Sequence, residues 1–125
     1  MQSVLINNES RELPAPLKVV FCNSFLCRLR GLTFRRSLTT QEGLLLVQKN
    51  DSKLDASIHM MGVFFDLGIV WINSKGEVVD LCLAKRWHPA YFPAQPACWT
   101  LEIHPSRLGE FRIGDKINLD ETPLA

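Results

Sequence analysis

The sequence has little excess of charge and no long hydrophobic run. Fourteen Lys and Arg against thirteen Asp and Glu leave a formal net charge of +1, whereas proteins that neutralise nucleic-acid phosphates are usually strongly basic. The most apolar stretch, Ser57 to Ile72, is shorter than the roughly 20 residues that a membrane-spanning helix needs, and His59 and Asp66 interrupt it. We therefore expect neither a nucleic-acid partner nor a membrane-embedded protein.

A positively charged leader is also absent. Between Met1 and Pro14 the one apolar cluster is Val4 to Ile6, which is too short for the core of a secretory signal. We therefore expect a cytoplasmic protein, in which disulfides are rare. The sequence has four cysteines, Cys22, Cys27, Cys82 and Cys98. On this reasoning all of them are expected to be free, buried thiols.

The spacings that hold metals or nucleotides are missing. Neither the cysteines nor His59, His88 and His104 form a Cys-x-x-Cys or His-Glu-x-x-His pattern. There is no nucleotide-binding loop, no pair of carboxylates and no signature of a nucleophile triad. A strand cysteine such as Cys82 or Cys98 would be desolvated and protonated, which is unfavourable for a nucleophile. We therefore expect no metal site, no cofactor and no catalytic thiol.

Length and composition indicate one domain. A chain of 125 residues, 46% of them hydrophobic, is too short for two domains. The surface scaling of monomeric proteins predicts that about two-thirds of the surface of the extended chain is buried on folding. Such a chain forms a core without disulfides or metals. We expect a single domain over residues 1–125, with 1–14 and 120–125 peripheral to it.

Most apolar segments have the length and composition of strands, and turn-forming residues separate them. The predicted strands are Leu17 to Cys22, Gly43 to Gln48, Leu67 to Ile72, Glu77 to Ala84, Cys98 to Ile103 and Ile117 to Leu119, with a hairpin turn over Asn73 to Gly76. A short helix is predicted over Ser24 to Arg30, a helical turn over Pro105 to Glu110, and an exposed loop over Lys49 to Asp55. The result is a mainly β fold, a compact sandwich-like or barrel-like antiparallel domain with one or two short helices.

The segment Arg86 to Pro96 contains three prolines, which exclude a helix interior or a central strand. It is predicted to be a loop that carries Trp87, His88, Tyr91 and Phe92. Prolines lower the conformational entropy lost when such side chains are presented to a partner, and aromatic side chains are common interface anchors. The alternative is that the loop packs its own aromatic side chains onto the sheet. The sequence leaves both interpretations open.

Six segments form a pattern by their order and spacing along the chain. They are Arg28 to Arg35 (RLRGLTFR), Glu42 to Leu45, His59 and Met60, Phe64 to Ile72, Trp99 to Ile103 and Arg112 to Lys116. Together they resemble the family catalogued as domain of unknown function 192, over about Lys18 to Leu119. The resemblance implies one compact, mainly β domain with a sandwich-like or barrel-like core, and it implies no activity. Many relatives carry an acid at the position of Gly68, and the resemblance implies that Asp66, two residues earlier and on the same strand face, takes its place.

Arg30 and Arg35 are candidate ligands for a carboxylate or a phosphate. Arg30 is predicted at the end of the short helix, beside Gly31. A cation there also interacts favourably with the helix terminus and anchors the following loop. The anion-binding role and the structural role both stay open.

His59 and Asp66 are polar side chains within the most apolar segment, where they require hydrogen-bond or charge partners. They would lie on opposite faces of a continuous strand and can meet only if a bend intervenes near Gly62. They either share a functional site or each satisfy backbone groups at a strand end. An ion pair between Arg30 and Asp66 across the core is a third alternative.

The leading functional hypothesis is a non-enzymatic module that binds a small anionic ligand or a protein or peptide partner. Its candidate binding residues are Arg30, Arg35, His59, Asp66, Trp87 and His88. One alternative is a small hydrolase or lyase acting on an anionic substrate, with His59 or His88 as the base and Asp66 orienting it. Another is a structural protein that oligomerises through a strand edge. A pocket holding the polar residues would favour the enzyme, and a shallow aromatic patch around Trp87 would favour partner binding.

Overall fold

One seven-stranded sheet forms the framework of the described part of the chain. The computed structural model describes residues 3–24, 27 and 37–121. Its elements are β1 (Ser3–Asn8), β2 (Lys18–Cys22), β3 (Glu42–Ser52), β4 (Leu67–Ile72), β5 (Val78–Ala84), β6 (Ala97–Ile103), a 3₁₀ helix (Pro105–Glu110) and β7 (Ile117–Glu121). The strand order is β5-β4-β6-β3-β2-β1-β7, and the sheet curls into a half-barrel. The predicted mainly β class is confirmed.

The two edge strands of the half-barrel meet at one end. Val78, at the start of β5, donates its N–H to the carbonyl of Asp115 (2.9 Å) and accepts from the N–H of Gly114 (2.8 Å). Ile117, at the start of β7, donates its N–H to the carbonyl of Gly76 (2.7 Å). Gly76 has a φ of +81°, and a Cβ there would lie 2.8 Å from the Ile117 carbonyl oxygen. Glycine is therefore required at this turn by its backbone conformation and by the close approach of β7.

Apolar side chains pack on both faces of the sheet. One core contains Trp71, and the other contains Leu101. Strand β4 contributes to both cores because all of its residues are buried, as its continuous apolar run predicts. The Trp71 indole N–H and the Thr100 hydroxyl both donate to the carbonyl of Ala56, at 2.8 and 3.1 Å. These buried polar atoms are thereby hydrogen-bonded.

The predicted hairpin is confirmed as β4 and β5. At its turn the Asn73 side-chain oxygen accepts the backbone N–H groups of Lys75 and Glu77, both at 3.0 Å. The predictions that correspond to β2, β6, β7 and the helical turn at Pro105 agree with the structure to within a few residues. The proline-rich loop contains no regular strand or helix and forms one isolated bridge, at Tyr91.

Strand β1 lies in the region predicted to be peripheral, and that prediction is wrong for it. Val4 and Ile6 are buried and alternate with partly exposed neighbours, so the strand places one side in the second core. β1 pairs with β2 on one side and with β7 on the other, both antiparallel. The six residues of β1 end in polar side chains, so their sequence favours a strand only weakly. They form a strand because β2 and β7 supply the partners for their backbone hydrogen bonds.

Two further features of the sheet differ from the prediction. β3 continues to Ser52 through the predicted loop Lys49 to Asp55, because Ser52 pairs with Ala97 and the Asp51 carboxylate accepts the N–H and hydroxyl of Ser74. β2 and β3 are parallel, whereas the predicted sheet was wholly antiparallel. The long connection between them, residues 23–41, supplies the length that a parallel pair requires.

The cysteines divide into a disulfide and two free thiols. Cys22 and Cys27 are joined by a disulfide with a Cα–Cα distance of 5.6 Å, so the prediction of four free thiols is wrong for this pair. That prediction was drawn from the expected compartment, and the sequence did not show that the two Cα atoms lie within the distance a disulfide bridges. Cys82 and Cys98 are free, as predicted.

The predicted short helix after β2 lies outside the described residues apart from Ser24 and Cys27. The Ser24 hydroxyl accepts the backbone N–H of Cys27 at 3.2 Å. This contact is the one expected of a serine that caps the start of a helix.

Candidate functional site

Two irregular segments pair with each other at the end of the β4–β5 hairpin opposite its turn. Ile58 and Tyr91 exchange two backbone hydrogen bonds, of 3.0 and 2.9 Å. Met60 donates its N–H to His88 (3.0 Å) and accepts the N–H of Trp87 (2.9 Å). We call residues 57–66 and 85–93 together the two-loop surface. Its two segments are held to each other by backbone bonds although neither belongs to the sheet.

The first segment alternates between the core and the solvent. Ile58 and Met60 are buried in the first core, whereas His59 and Met61 are exposed. Gly62 then adopts a φ of +76°, which ends the extended backbone. The chain therefore bends near Gly62, which is the condition that a meeting of His59 with Asp66 requires, and after the bend Phe64 is exposed.

Trp87 has the most unusual backbone of the second segment. Its φ is +63°, the one positive value among the non-glycine residues that the structure describes. The left-handed conformation costs an L-residue about 1 kcal/mol or more. The indole nevertheless remains 48% exposed and contacts the ring of Phe64 edge to face, with centroids 5.5 Å apart. Phe92, further along the segment, is also exposed.

Asp66 fixes the backbone just before Trp87. Its carboxylate accepts the backbone N–H of Arg86 (2.9 Å) and the Arg86 Nε–H (3.1 Å), and Lys85 Nζ lies 3.7 Å away. These hydrogen bonds, that of the Arg86 backbone foremost, lower the pKa of Asp66 below its ordinary value. The partners of this acid are therefore the cations of the neighbouring loop.

His88 is held by its own loop. Its Nδ1 lies 3.1 Å from the carbonyl oxygen of Ala90, and its ring packs against Tyr91 with centroids 4.4 Å apart. The Tyr91 hydroxyl in turn accepts the backbone N–H of Lys85 at 2.9 Å. The contacts of His88 thus stiffen the loop, and they do not include Asp66.

The structure places four of the predicted site residues on the two-loop surface: His59, Asp66, Trp87 and His88. Arg30 and Arg35, and with them the alternative of an Arg30–Asp66 ion pair, lie outside the described residues. Sequence reasoning missed Phe64 and Lys85 as members of this surface. The signal for Phe64 is weak because it is one of several apolar residues in a row, and its contact with Trp87 joins segments far apart in the chain.

The two free cysteines are not activated. Burial, together with the nearby Asp80 carboxylate, raises the pKa of Cys82 to about 11. Burial and Asp51 raise the pKa of Cys98 to about 11 as well. Both thiols are therefore protonated at neutral pH, as the sequence analysis expects of desolvated strand cysteines.

Glu102 is a buried acid that the sequence did not single out. It lies on β6 between Leu44 and Ile69 of the neighbouring strands and is 4% exposed. Burial raises its pKa to about 7. Its Oε1 has no hydrogen-bond partner among the described residues.

Among the described residues, no three His, Cys, Asp or Glu side chains lie close enough together to bind a metal ion. No helix of this part of the chain is long and apolar enough to cross a membrane.

The curled seven-stranded sheet and its exposed aromatic loops define a small β half-barrel domain. The chain belongs to the DUF192 family, described as "Uncharacterized ACR, COG1430", whose sequence profile matches residues 5–119. The resemblance inferred from the sequence motifs is thereby confirmed.

Two similar proteins are UPF0127 proteins of Thermococcus species. The chain is 32% identical to a UPF0127 protein of Thermococcus kodakarensis, over 94% of this chain and 74% of that protein. It is 30% identical to a UPF0127 protein of Thermococcus gammatolerans, over 94% and 76%.

Two crystal structures share the fold. One is a putative transcription regulator of Sinorhizobium meliloti, with a TM-score of 0.79 and 20% identity over 94% of this chain and 92% of that one. The other is a protein of unknown function from Novosphingobium aromaticivorans, with a TM-score of 0.78 and 21% identity over 93% and 83%. At these identities the comparison establishes the fold alone.

Proposed function

We propose that this protein is a binding module that docks a segment of a partner protein on the two-loop surface. The observation that carries the proposal is Trp87, a large aromatic side chain that a strained backbone holds half in solvent. Strain of this kind concentrates at functional sites, where the surrounding structure enforces it. A tryptophan that served the fold would gain stability by being buried, whereas this one offers its exposed area to a partner.

The backbone of the two-loop surface is preorganised for binding around Trp87. The Arg86 N–H is held by Asp66 and the Trp87 N–H by Met60, so the backbone on the N-terminal side of the indole is fixed. A fixed aromatic anchor loses little conformational entropy on binding. Exposed Met61, Phe64 and Phe92 extend the apolar area on the same two segments.

The contacts of Asp66 and His88 do not favour the enzymatic alternative. With His88 as the base, this alternative needs a contact between His88 and Asp66, but Asp66 is engaged by Arg86 and Lys85, and His88 Nδ1 lies against a backbone carbonyl. The description of one structural neighbour as a putative transcription regulator stays with that protein. A formal net charge of +1 does not support binding to nucleic-acid phosphates.

The cytoplasmic location stays a prediction of the sequence. The Cys22–Cys27 disulfide argues for an oxidising compartment, because structural disulfides are rare in the reducing cytosol. Fractionation of the source cells decides between the two locations.

The proposal is tested with short random peptides displayed on phage and selected on the wild-type protein. The test variant is Trp87→Gly, which removes the indole and relieves the left-handed backbone. The control is Ile113→Ala, which removes another exposed apolar side chain, beside Gly114 near the start of β5. Selected peptides are expected to bind wild type and Ile113→Ala equally and Trp87→Gly about tenfold more weakly or worse.

Stability measurements separate a docking role of Trp87 from a structural one. The lost contact with Phe64 and the relieved strain are each worth about 1 kcal/mol, so Trp87→Gly is expected to unfold within about 1 kcal/mol of wild type in urea. A loss of about 3 kcal/mol or more would identify Trp87 as a core residue. The proposal fails if the selection enriches no peptide or if Trp87→Gly binds the enriched peptides as wild type does.

A further inference from the structure

We infer that the partner segment is acidic as well as apolar, with an apolar side chain on the Phe64–Trp87 pair and a carboxylate beside Lys85 and Arg86. This inference rests on the proposed function and specifies the chemistry of its ligand. It follows from the charges of the two-loop surface and from where those charges lie relative to the indole.

The two-loop surface has more cations than acids. Asp66 is the one Asp or Glu among residues 57–66 and 85–93, whereas Lys85 and Arg86 are both cationic. A single carboxylate is therefore shared by two permanent cations, and the surface has a formal excess of one positive charge at neutral pH.

The Asp66 carboxylate interacts more closely with Arg86 than with Lys85, so the Lys85 ammonium is available to a ligand. Asp66 makes its two hydrogen bonds with Arg86, at 2.9 and 3.1 Å. Lys85 Nζ is 3.7 Å from the carboxylate, beyond hydrogen-bond distance, and its side chain is 64% exposed. An ammonium has three donors, so Lys85 can bind a second carboxylate without releasing Asp66.

The apolar and charged parts of the surface adjoin. Arg86 directly precedes Trp87 in the chain, and its Nη1 approaches the carbonyl oxygen of Phe64 at 3.4 Å. The cations therefore border the aromatic pair. A complementary segment needs its carboxylate within one or two residues of its apolar anchor, because an extended chain advances about 3.3 Å per residue.

A peptide fits this surface better than an anionic membrane does. Recognition of anionic lipid by a basic surface takes clusters of roughly four to eight Lys and Arg, each contributing about 1 kcal/mol. The two-loop surface has Lys85 and Arg86, and Asp66 offsets part of their charge. Membrane binding is therefore an outcome for the test to detect.

The experiment uses the peptides enriched by the phage selection, synthesised and titrated by fluorescence anisotropy. The test variant is Lys85→Glu, and the control is Lys75→Glu, an exposed lysine in the turn at the other end of the β4–β5 hairpin. The enriched sequences are expected to place Asp or Glu next to an aromatic or aliphatic residue. Lys85→Glu is expected to weaken binding about tenfold and Lys75→Glu less than about twofold, with the Lys85 effect shrinking at high salt.

The outcomes distinguish this inference from the proposed function. If Trp87→Gly abolishes binding while the enriched peptides lack acids and Lys85→Glu binds normally, the acidic specificity is wrong and the docking surface stands. If neither Trp87→Gly nor Lys85→Glu weakens binding, both are wrong. Cosedimentation with phosphatidylserine vesicles that depends on Trp87 and Lys85, without peptide enrichment, overturns the inference in favour of a membrane.

Discussion

Two residues have surroundings opposite to their chemistry. Glu102 is an acid buried at the centre of the sheet, and Trp87 is an indole kept half in solvent. Burial of a carboxyl group without full hydrogen bonding lowers the stability of the folded protein, whereas exposure of the indole forgoes stability that burial would add. We attribute the exposure of Trp87 to partner binding. The burial of Glu102 makes the stability of the folded protein depend on pH.

The pKa of Glu102 predicts that dependence. Its pKa rises from 4.5 to about 7 on folding, so between these values the folded protein keeps a proton that the unfolded chain releases. The contribution of Glu102 to the free energy of unfolding therefore falls as pH rises through this window, and the penalty reaches about 3 kcal/mol above it. Glu102→Gln cannot ionise and is expected to be more stable than wild type at about pH 8, with little difference at about pH 4.

Urea denaturation of wild type and Glu102→Gln at both pH values measures the effect. Glu77→Gln serves as a matched control, because Glu77 is an exposed acid beside the turn of the neighbouring hairpin. A Glu102→Gln protein that is less stable than wild type at about pH 8 would contradict the assignment of a destabilising buried charge.

The elements differ in how far local sequence determines them. The β4–β5 hairpin could be predicted because its apolar run, the Asn73 side chain and Gly76 all act within a few residues. β1 and the far end of β3 could not, since their strand conformation depends on partners elsewhere in the chain. The site follows the same division: Trp87 and His88 stood out by composition, whereas the left-handed backbone of Trp87 depends on Met60 and Asp66 in another segment.

The turn before β7 depends on one acid. Asp115 is 3% exposed; it accepts two hydrogen bonds from the Arg11 guanidinium, at 2.8 and 2.7 Å, one from Asn8 at 2.8 Å and one from the backbone of Arg112 at 3.0 Å. These bonds, that of Arg11 foremost, hold the pKa of Asp115 well below its usual range. The acid thus joins the end of β1 to the turn that leads into β7.

Asp115→Asn is expected to lower the free energy of unfolding at neutral pH by about 2 kcal/mol, because it removes the charged partner of Arg11. The pKa of Asp115 is lower in the folded protein than in the unfolded chain, where it is near 4. The ionised carboxylate therefore stabilises the folded protein above about pH 4, and this stabilisation is lost progressively as pH falls from there through the folded pKa. Denaturant titrations from neutral pH to about pH 3 are expected to show wild type losing part of this advantage over Asp115→Asn below about pH 4. A constant difference across that range would mean that the carboxylate charge is not what stabilises the turn.

At the scale of the whole molecule, the described residues form a half-barrel with a core on each face of its sheet. β1 is essential to this arrangement because its inward side chains reach the second core and because β7 pairs with it. Ile6→Ala is expected to cost about 3 kcal/mol, as truncation of a buried isoleucine does. Leu5→Ala, on the partly exposed side of the same strand, is expected to cost about 1 kcal/mol. Equal losses in urea denaturation would show that the strand is peripheral after all.

The sequence by itself determined the mainly β class, the central hairpin, the proline-rich loop with its aromatic residues and the family. These depend on periodicity, turn chemistry and composition, which act over a few residues. The tertiary structure alone decided the place of β1, the parallel pairing of β2 with β3, the Cys22–Cys27 disulfide and the joining of Phe64 to Trp87. Each of these requires contact between atoms whose proximity the local chain does not encode.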